Sequence, residues 1–138
     1  MAKTSGLGAT ITVADAGGTP RTISNDVTDF TLATPVALQD ITGVDKSAHE
    51  KLALLRDLTV QLKMVFNAAA NMSHAVFNTI TTTPNNRATS IYPTSSGSTP
   101  VMTANLLYSA YNVTRAAAGE LTTQADGTLA DGAIPTWA

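Results

Sequence analysis

Between Asp57 and Ile80 the chain changes its period. Leu58, Val60, Leu62, Met64 and Phe66 alternate with Thr59, Gln61, Lys63 and Asn67. A period of two predicts a strand with one buried face and one wetted face. The next residues switch to helical spacing and predict a helix over 68–79. Asn67 is its N-cap, and Met72, Ala75, Val76 and Ile80 form its apolar stripe. A long amphipathic strand running straight into one helix is the most distinctive layout in the chain.

The remaining pattern is mostly short strands with turn signals. Ala9 to Ala14 alternates, Asp15-Ala-Gly-Gly-Thr-Pro20 is a hairpin turn, and Arg21 to Ser24 returns. Val27 to Ala33 and Val36 to Ile41 are further strands. Ser47-Ala-His-Glu50 has the form of a capping box, and Ala48, Leu52 and Leu55 follow at helical spacing. Residues 42–56 therefore predict either a short helix or a long extended loop. Ala88 to Pro93 is a strand, Thr94 to Pro100 an exposed polar loop tip, and Leu106 to Ala125 a hairpin turning at Ala116 to Gly119. In that hairpin Leu107, Tyr111 and Val113 are expected to share one face, and Leu121 to face inward. Met1 to Gly8 reads as a flexible arm, and Trp137 pins the C-terminal end onto a core or a neighbour. Together these predict one domain over 1–138. It is mainly β (α+β), with two packed antiparallel sheets, a β-sandwich or barrel, and one flanking helix.

Composition narrows the function. Of 138 residues only 13% are charged, about half the usual share, and the formal net charge is −2. Such a surface resists self-association weakly and offers no basic footprint for sequence-specific nucleic-acid binding. There are no cysteines, so disulfide and thiolate chemistry are excluded. No run approaches the roughly 20 apolar residues of a membrane span, and the first residues lack the apolar core of a signal peptide. The chemistry-bearing residues do not converge. Ser73 and His74 are adjacent, and neighbours on a helix point to different sides. His49 beside Glu50 is too few ligands for a metal. The ten carboxylates are scattered at turn-like positions. Neither catalytic nor metal residues are assigned, and no cofactor is expected.

The order of several short phrases is more telling. Ser24-Asn-Asp-Val-Thr28, Ile41-Thr-Gly-Val-Asp-Lys46, Leu58-Thr-Val-Gln-Leu62 with Val65-Phe-Asn67, Ser73-His-Ala-Val-Phe77, and Leu129-Ala-Asp-Gly132 before Pro135-Thr-Trp137 follow one another. This succession, over almost the whole chain, resembles the major tail proteins (tail tube proteins) of long-tailed bacteriophages, most closely those of actinobacterial phages. The resemblance implies a virion structural protein, assembled in the host cytoplasm as stacked homohexameric rings. Their lumen holds a tape measure protein and then conducts genomic double-stranded DNA, and the tube meets tail terminator and tail-tip proteins at its ends. No membrane and no enzymatic activity are implied. The arm and residues 42–56 would reach neighbouring subunits, with Leu7, Thr42, Val44, Lys46, His49, Leu52, Leu55, Arg56 and Trp137 as interface candidates. Gln61 and Lys63, on the polar face of the central strand, are lumen candidates, with Asp57 and Glu120 as carboxylates that would offset the lysine. Alternatives are a tail terminator, a capsid decoration protein, the inner tube of a contractile injection system, or a soluble β-sandwich binding module.

Overall fold

The computed structural model describes residues 5–94 and 100–138. Residues 1–4 of the expected arm and 95–99 of the expected loop tip lie outside the described residues. The fold is mainly β: two antiparallel sheets and one short helix. The strands are β1 (Thr10–Ala14), β2 (Pro20–Thr22), β3 (Val27–Ala33), β4 (Val36–Asp40), β5 (Lys51–Arg56), β6 (Thr59–Val65), β7 (Arg87–Tyr92), β8 (Met102–Arg115) and β9 (Leu121–Leu129), and α1 is Ser73–Phe77. Seven strands form one sheet in the order β2-β1-β7-β8-β9-β6-β3, and β4 pairs with β5 as a separate hairpin.

The large sheet has one dry face. Val60, Leu62 and Met64 of β6 are buried while Gln61, Lys63 and Val65 between them are exposed, as the alternation predicts. Ile11 and Val13 of β1 pack in the same core as Leu62 of β6, with Phe30 and Leu32 of β3 against it. These strands come from opposite ends of the sheet, so it curls around its own apolar face. Val76 and Phe77 of α1 close that core, and Phe77 meets the rings of Tyr108 and Tyr111 at centroid distances of 5.0 and 5.7 Å.

Local chemistry fixes the turns. The Asp15 carboxylate accepts the N–H groups of Gly17 and Thr19, both at 3.0 Å, and Arg21 Nε at 3.1 Å. Gly18 completes the β1–β2 turn at φ 86°, a conformation that suits glycine.

The structure differs from the sequence expectations in three places. The helix is Ser73–Phe77 and not 68–79. Asn71 sits at φ 65°, which no right-handed helix can contain. Asn67 does accept the Ala69 N–H, as a cap would, and donates to Asp26 Oδ1 at 2.9 Å, but the turn it opens does not continue into the helix. The buried stripe is therefore Ser73, Val76 and Phe77, with Ile80 packed beside it, in place of one running through Met72 and Ala75. Second, residues 42–56 hold neither a helix nor one long loop. Leu52 and Leu55 belong to β5, because pairing with β4 decides a short apolar run that either period would fit. Third, a β-bulge between Tyr108 and Ala110 shifts the alternation of β8. Leu106 and Tyr108 point inward and Leu107 outward; past the bulge Tyr111 is partly buried, and Val113 and Leu121 share its side of the sheet but are exposed where the strands outrun the core.

Candidate assembly surfaces

Three features of the surface stand out. The first is a polar four-stranded face. Cross-strand registers put Thr31, Gln61 and Asp126 in one row, Asp29, Lys63 and Gln124 in the next, and Val65, Thr122 and Thr114 in a third. Residues opposite one another share a face, so β3, β6, β9 and the second half of β8 present a surface rich in Thr, Gln and Asn. Gln61 and Lys63 stand near its centre.

The second feature is the pair of edges flanking this face. On one side β3 pairs only with β6 among the described residues. On the other, β7 pairs with β8 only from Met102 to Leu106, while β9 runs beside β8 from Leu106 to Arg115. Beyond Leu106 the outer edge of β8 has no strand against it among the described residues. Two long edges therefore present unpaired N–H and C=O groups, the arrangement that templates strand addition.

The third feature is the β4–β5 hairpin. It leaves the end of the sheet where Ala33 pairs with Thr59, and its foot is closed by the Asp57 N–H bonding the Pro35 carbonyl at 3.0 Å. Every residue of both strands is exposed. Val36, Leu38, Ile41, Leu52, Leu54 and Leu55 lie along it, and Val44 is fully exposed at the tip. An isolated two-stranded hairpin is marginal in water, and one with apolar residues on both faces needs a cover. The tip itself is stitched. Thr42 Oγ1 donates to the Asp40 carboxylate and accepts the Glu50 N–H at 2.8 Å, and Ile41 N–H bonds the Glu50 carbonyl at 2.9 Å. The Thr42 contacts hold the Asp40 carboxyl below its ordinary pKa, with His49 Nδ1 3.2 Å away adding to the effect. Lys46 and Glu50 pair at 3.6 Å.

The structure thus gathers Thr42, Val44, Lys46, His49, Leu52, Leu55 and Arg56 on one projection. Leu7 is exposed elsewhere, beside the start of β3, where it lines a depression with Val27 to Phe30. Trp137 is half-exposed and tied by a β-bridge to Met102. Asp57 and Glu120 do not approach Lys63. Asp57 is six residues away along β6, about 20 Å, and Glu120 lies four residues before Gln124, about 13 Å. The carboxylates beside Lys63 are Asp29, directly opposite on β3, and Asp126, diagonal on β9. Sequence reasoning missed both, along with the two free edges and Val36, Leu38, Ile41, Leu54 and Ile134.

Most interior polar groups are engaged in structure, although the Ser73 and Thr123 hydroxyls are buried without a partner among the described residues. Asp26 is buried and accepts Asn67 Nδ2 and the Ser73 N–H. His74 Nδ1 lies 3.0 Å from the Tyr111 hydroxyl, with Phe66 packed on the ring. Burial pushes the Tyr108 and Tyr111 phenols above their ordinary pKa values.

No protein-family model and no curated protein sequence matches the chain. Solved structures do share its fold. A chain from the virion of a native gene transfer agent particle superposes with a TM-score of 0.77 at 12% identity, over 99% of both chains. A chain from the tail of an empty gene transfer agent particle, refined with C6 symmetry, gives 0.72 at 13% identity over 94% of both. A chain from the six-fold symmetrised baseplate of the anti-feeding prophage gives 0.67 at 13% identity, over 100% of this chain and 95% of that one. The fold is that of proteins found in phage-like tail particles.

Proposed function

We propose that this chain is a structural, non-catalytic subunit of a phage tail tube. The observation that carries the reading is the four-stranded polar face with a free strand at each side. Its strands alternate in direction from β3 through β6 and β9 to β8, so β3 and β8 run oppositely. A second copy rotated about a common axis can lay its β8 edge antiparallel against the β3 edge of the first. Repeated around a ring, this leaves neither of these two edges free. Six copies, the symmetry of the similar tail and baseplate particles, would join six four-stranded sheets. At about 4.8 Å per strand the backbone circle is at least about 37 Å across, and wider with tilted strands. That is room for a tape measure protein and afterwards for a DNA duplex, with Gln61 and Lys63 facing the lumen.

The hairpin supports stacking. Exposed apolar residues concentrate on the β4–β5 hairpin, with Ile134 beside Leu54 and Leu55 at its foot. An apolar projection at one end docks head-to-tail, and head-to-tail contacts build open filaments. Tail-terminator and tail-tip proteins would meet the two ends. The virion tail is the final location, with assembly in the host cytoplasm, and the quoted sequence phrases point to an actinobacterial phage. The likeness to the anti-feeding prophage baseplate chain favours one second reading, the inner tube of a contractile injection system, which requires a sheath for assembly.

Negative-stain electron microscopy across a concentration series tests the proposal. Stacked rings with a central hole are expected. The variant Val44→Asp/Leu55→Asp should keep the monomer's unfolding midpoint and lose the stacks. Monomers at every concentration, even after addition of preformed tail tips, would overturn the reading.

A further inference from the structure

The polar face carries few charges, and their placement is not random. On the paired strands β3, β6, β9 and the second half of β8, the charged residues sharing this face are Asp29, Lys63 and Asp126. Lys63 is its one cation among the described residues. It borders a shallow depression lined by Thr28, Asn112, Thr114, Thr122 and Gln124. An ammonium among hydroxyl and amide donors is chemically suited to a phosphate oxygen. Asp29 stands directly across from the lysine on β3. Gln124, across from it on β9, donates to Asp126 Oδ1 at 3.3 Å, which holds the second carboxylate beside the same depression. Cross-strand neighbours of opposite charge attract, and carboxylates here repel any approaching phosphate.

We propose that Asp29 and Asp126 are charge-masking residues that keep Lys63 from gripping the phosphate backbone of double-stranded DNA. The inference rests on the conduit reading for its biological sense, but its chemistry is a property of the single chain. Asp29→Asn/Asp126→Asn exposes Lys63 without removing a hydrogen-bonding side chain at either position. Adding Lys63→Gln removes the cation again.

The test is fluorescence anisotropy of a labelled 20-base-pair duplex against each protein at about 50 mM salt, with assembly followed separately by sedimentation velocity. The double variant should bind the duplex at least about ten-fold more tightly than the unmodified chain, with affinity falling as salt rises. The triple variant should return to the starting affinity. A double variant no tighter than the unmodified chain, or a gain that survives Lys63→Gln, would overturn the masking role. Failure of the protein to form rings would count against the tube instead, because the anisotropy comparison reads the same face on the monomer.

Discussion

Arg87 is where a single substitution says most about how the fold holds together. Its side chain is only 1% exposed, and no carboxylate lies within ion-pair distance among the described residues. Neutral acceptors take its donors instead. Nη1 donates to the Val76 carbonyl, Nη2 to Thr79 Oγ1 at 3.0 Å, and Nε to Asn85 Oδ1 at 3.4 Å. All three belong to α1 and the turns after it, so one guanidinium at the foot of β7 ties down the chain from Val76 to Asn85. Burial lowers its pKa from the ordinary value, and a guanidinium stays protonated nonetheless. Arg87→Ala removes these bonds, opens a cavity and orphans a buried carbonyl, a loss of about 3–5 kcal/mol. Arg87→Met keeps most of the volume and removes the desolvation cost of the charge. Its loss is about 1–3 kcal/mol, chiefly the unpaired carbonyl. At about 4 °C per kcal/mol for a chain of this size, the midpoints fall by about 12–20 °C and about 4–12 °C. Thermal and urea unfolding should be run where sedimentation shows monomer, since assembly raises the apparent midpoint. If methionine costs as much as alanine, or both cost under about 1 kcal/mol, the reasoning is refuted.

Two further outcomes follow from other parts of the structure. A Cβ at Gly127 would stand 2.9 Å from the buried Tyr108 ring, which is held by a 2.8 Å bond to Thr89 Oγ1. Gly127→Ala should therefore destabilise by about 1–3 kcal/mol in urea titration, and an unchanged midpoint would show that the ring yields freely. Acid should weaken the β1–β2 turn. The Thr19 N–H, with Arg21 and the Gly17 N–H, holds the Asp15 carboxyl below 3.8. A folded-state pKa below the unfolded one gives stability that is complete above about pH 4 and is lost as pH falls through the folded value. Asp15→Asn should be less stable than the parent at pH 6 and converge with it near about pH 2, and parallel melting curves across that range would contradict the assignment.

Much of the large sheet was legible because alternation and burial coincide there. Val27 to Ala33 emerges with the boundaries read from the sequence, and β6 differs by one residue at either end. What failed depended on partners far away in sequence. Whether Leu52-Ala-Leu-Leu55 is helix or strand is decided by β4. The inward face of β8 is decided by a bulge opposite β9. The helix starts only at Ser73, whose N–H bonds the Asp26 carboxylate 47 residues earlier. The lysine at the centre of the polar face could be named from period two alone. Its neighbouring carboxylates could not, because register between strands is a tertiary quantity.

The hairpin foot has a consequence of its own. The seven-stranded sheet and its core are complete without β4 and β5, which join it through a neck between Ala33 and Thr59. Lengthening or recasting a projection held that way costs the sheet little, since loop-closure entropy grows only slowly with length. The molecule thereby separates two inheritances. The sheet can stay fixed while the projection drifts in length and sequence, without the molecule relearning how to fold.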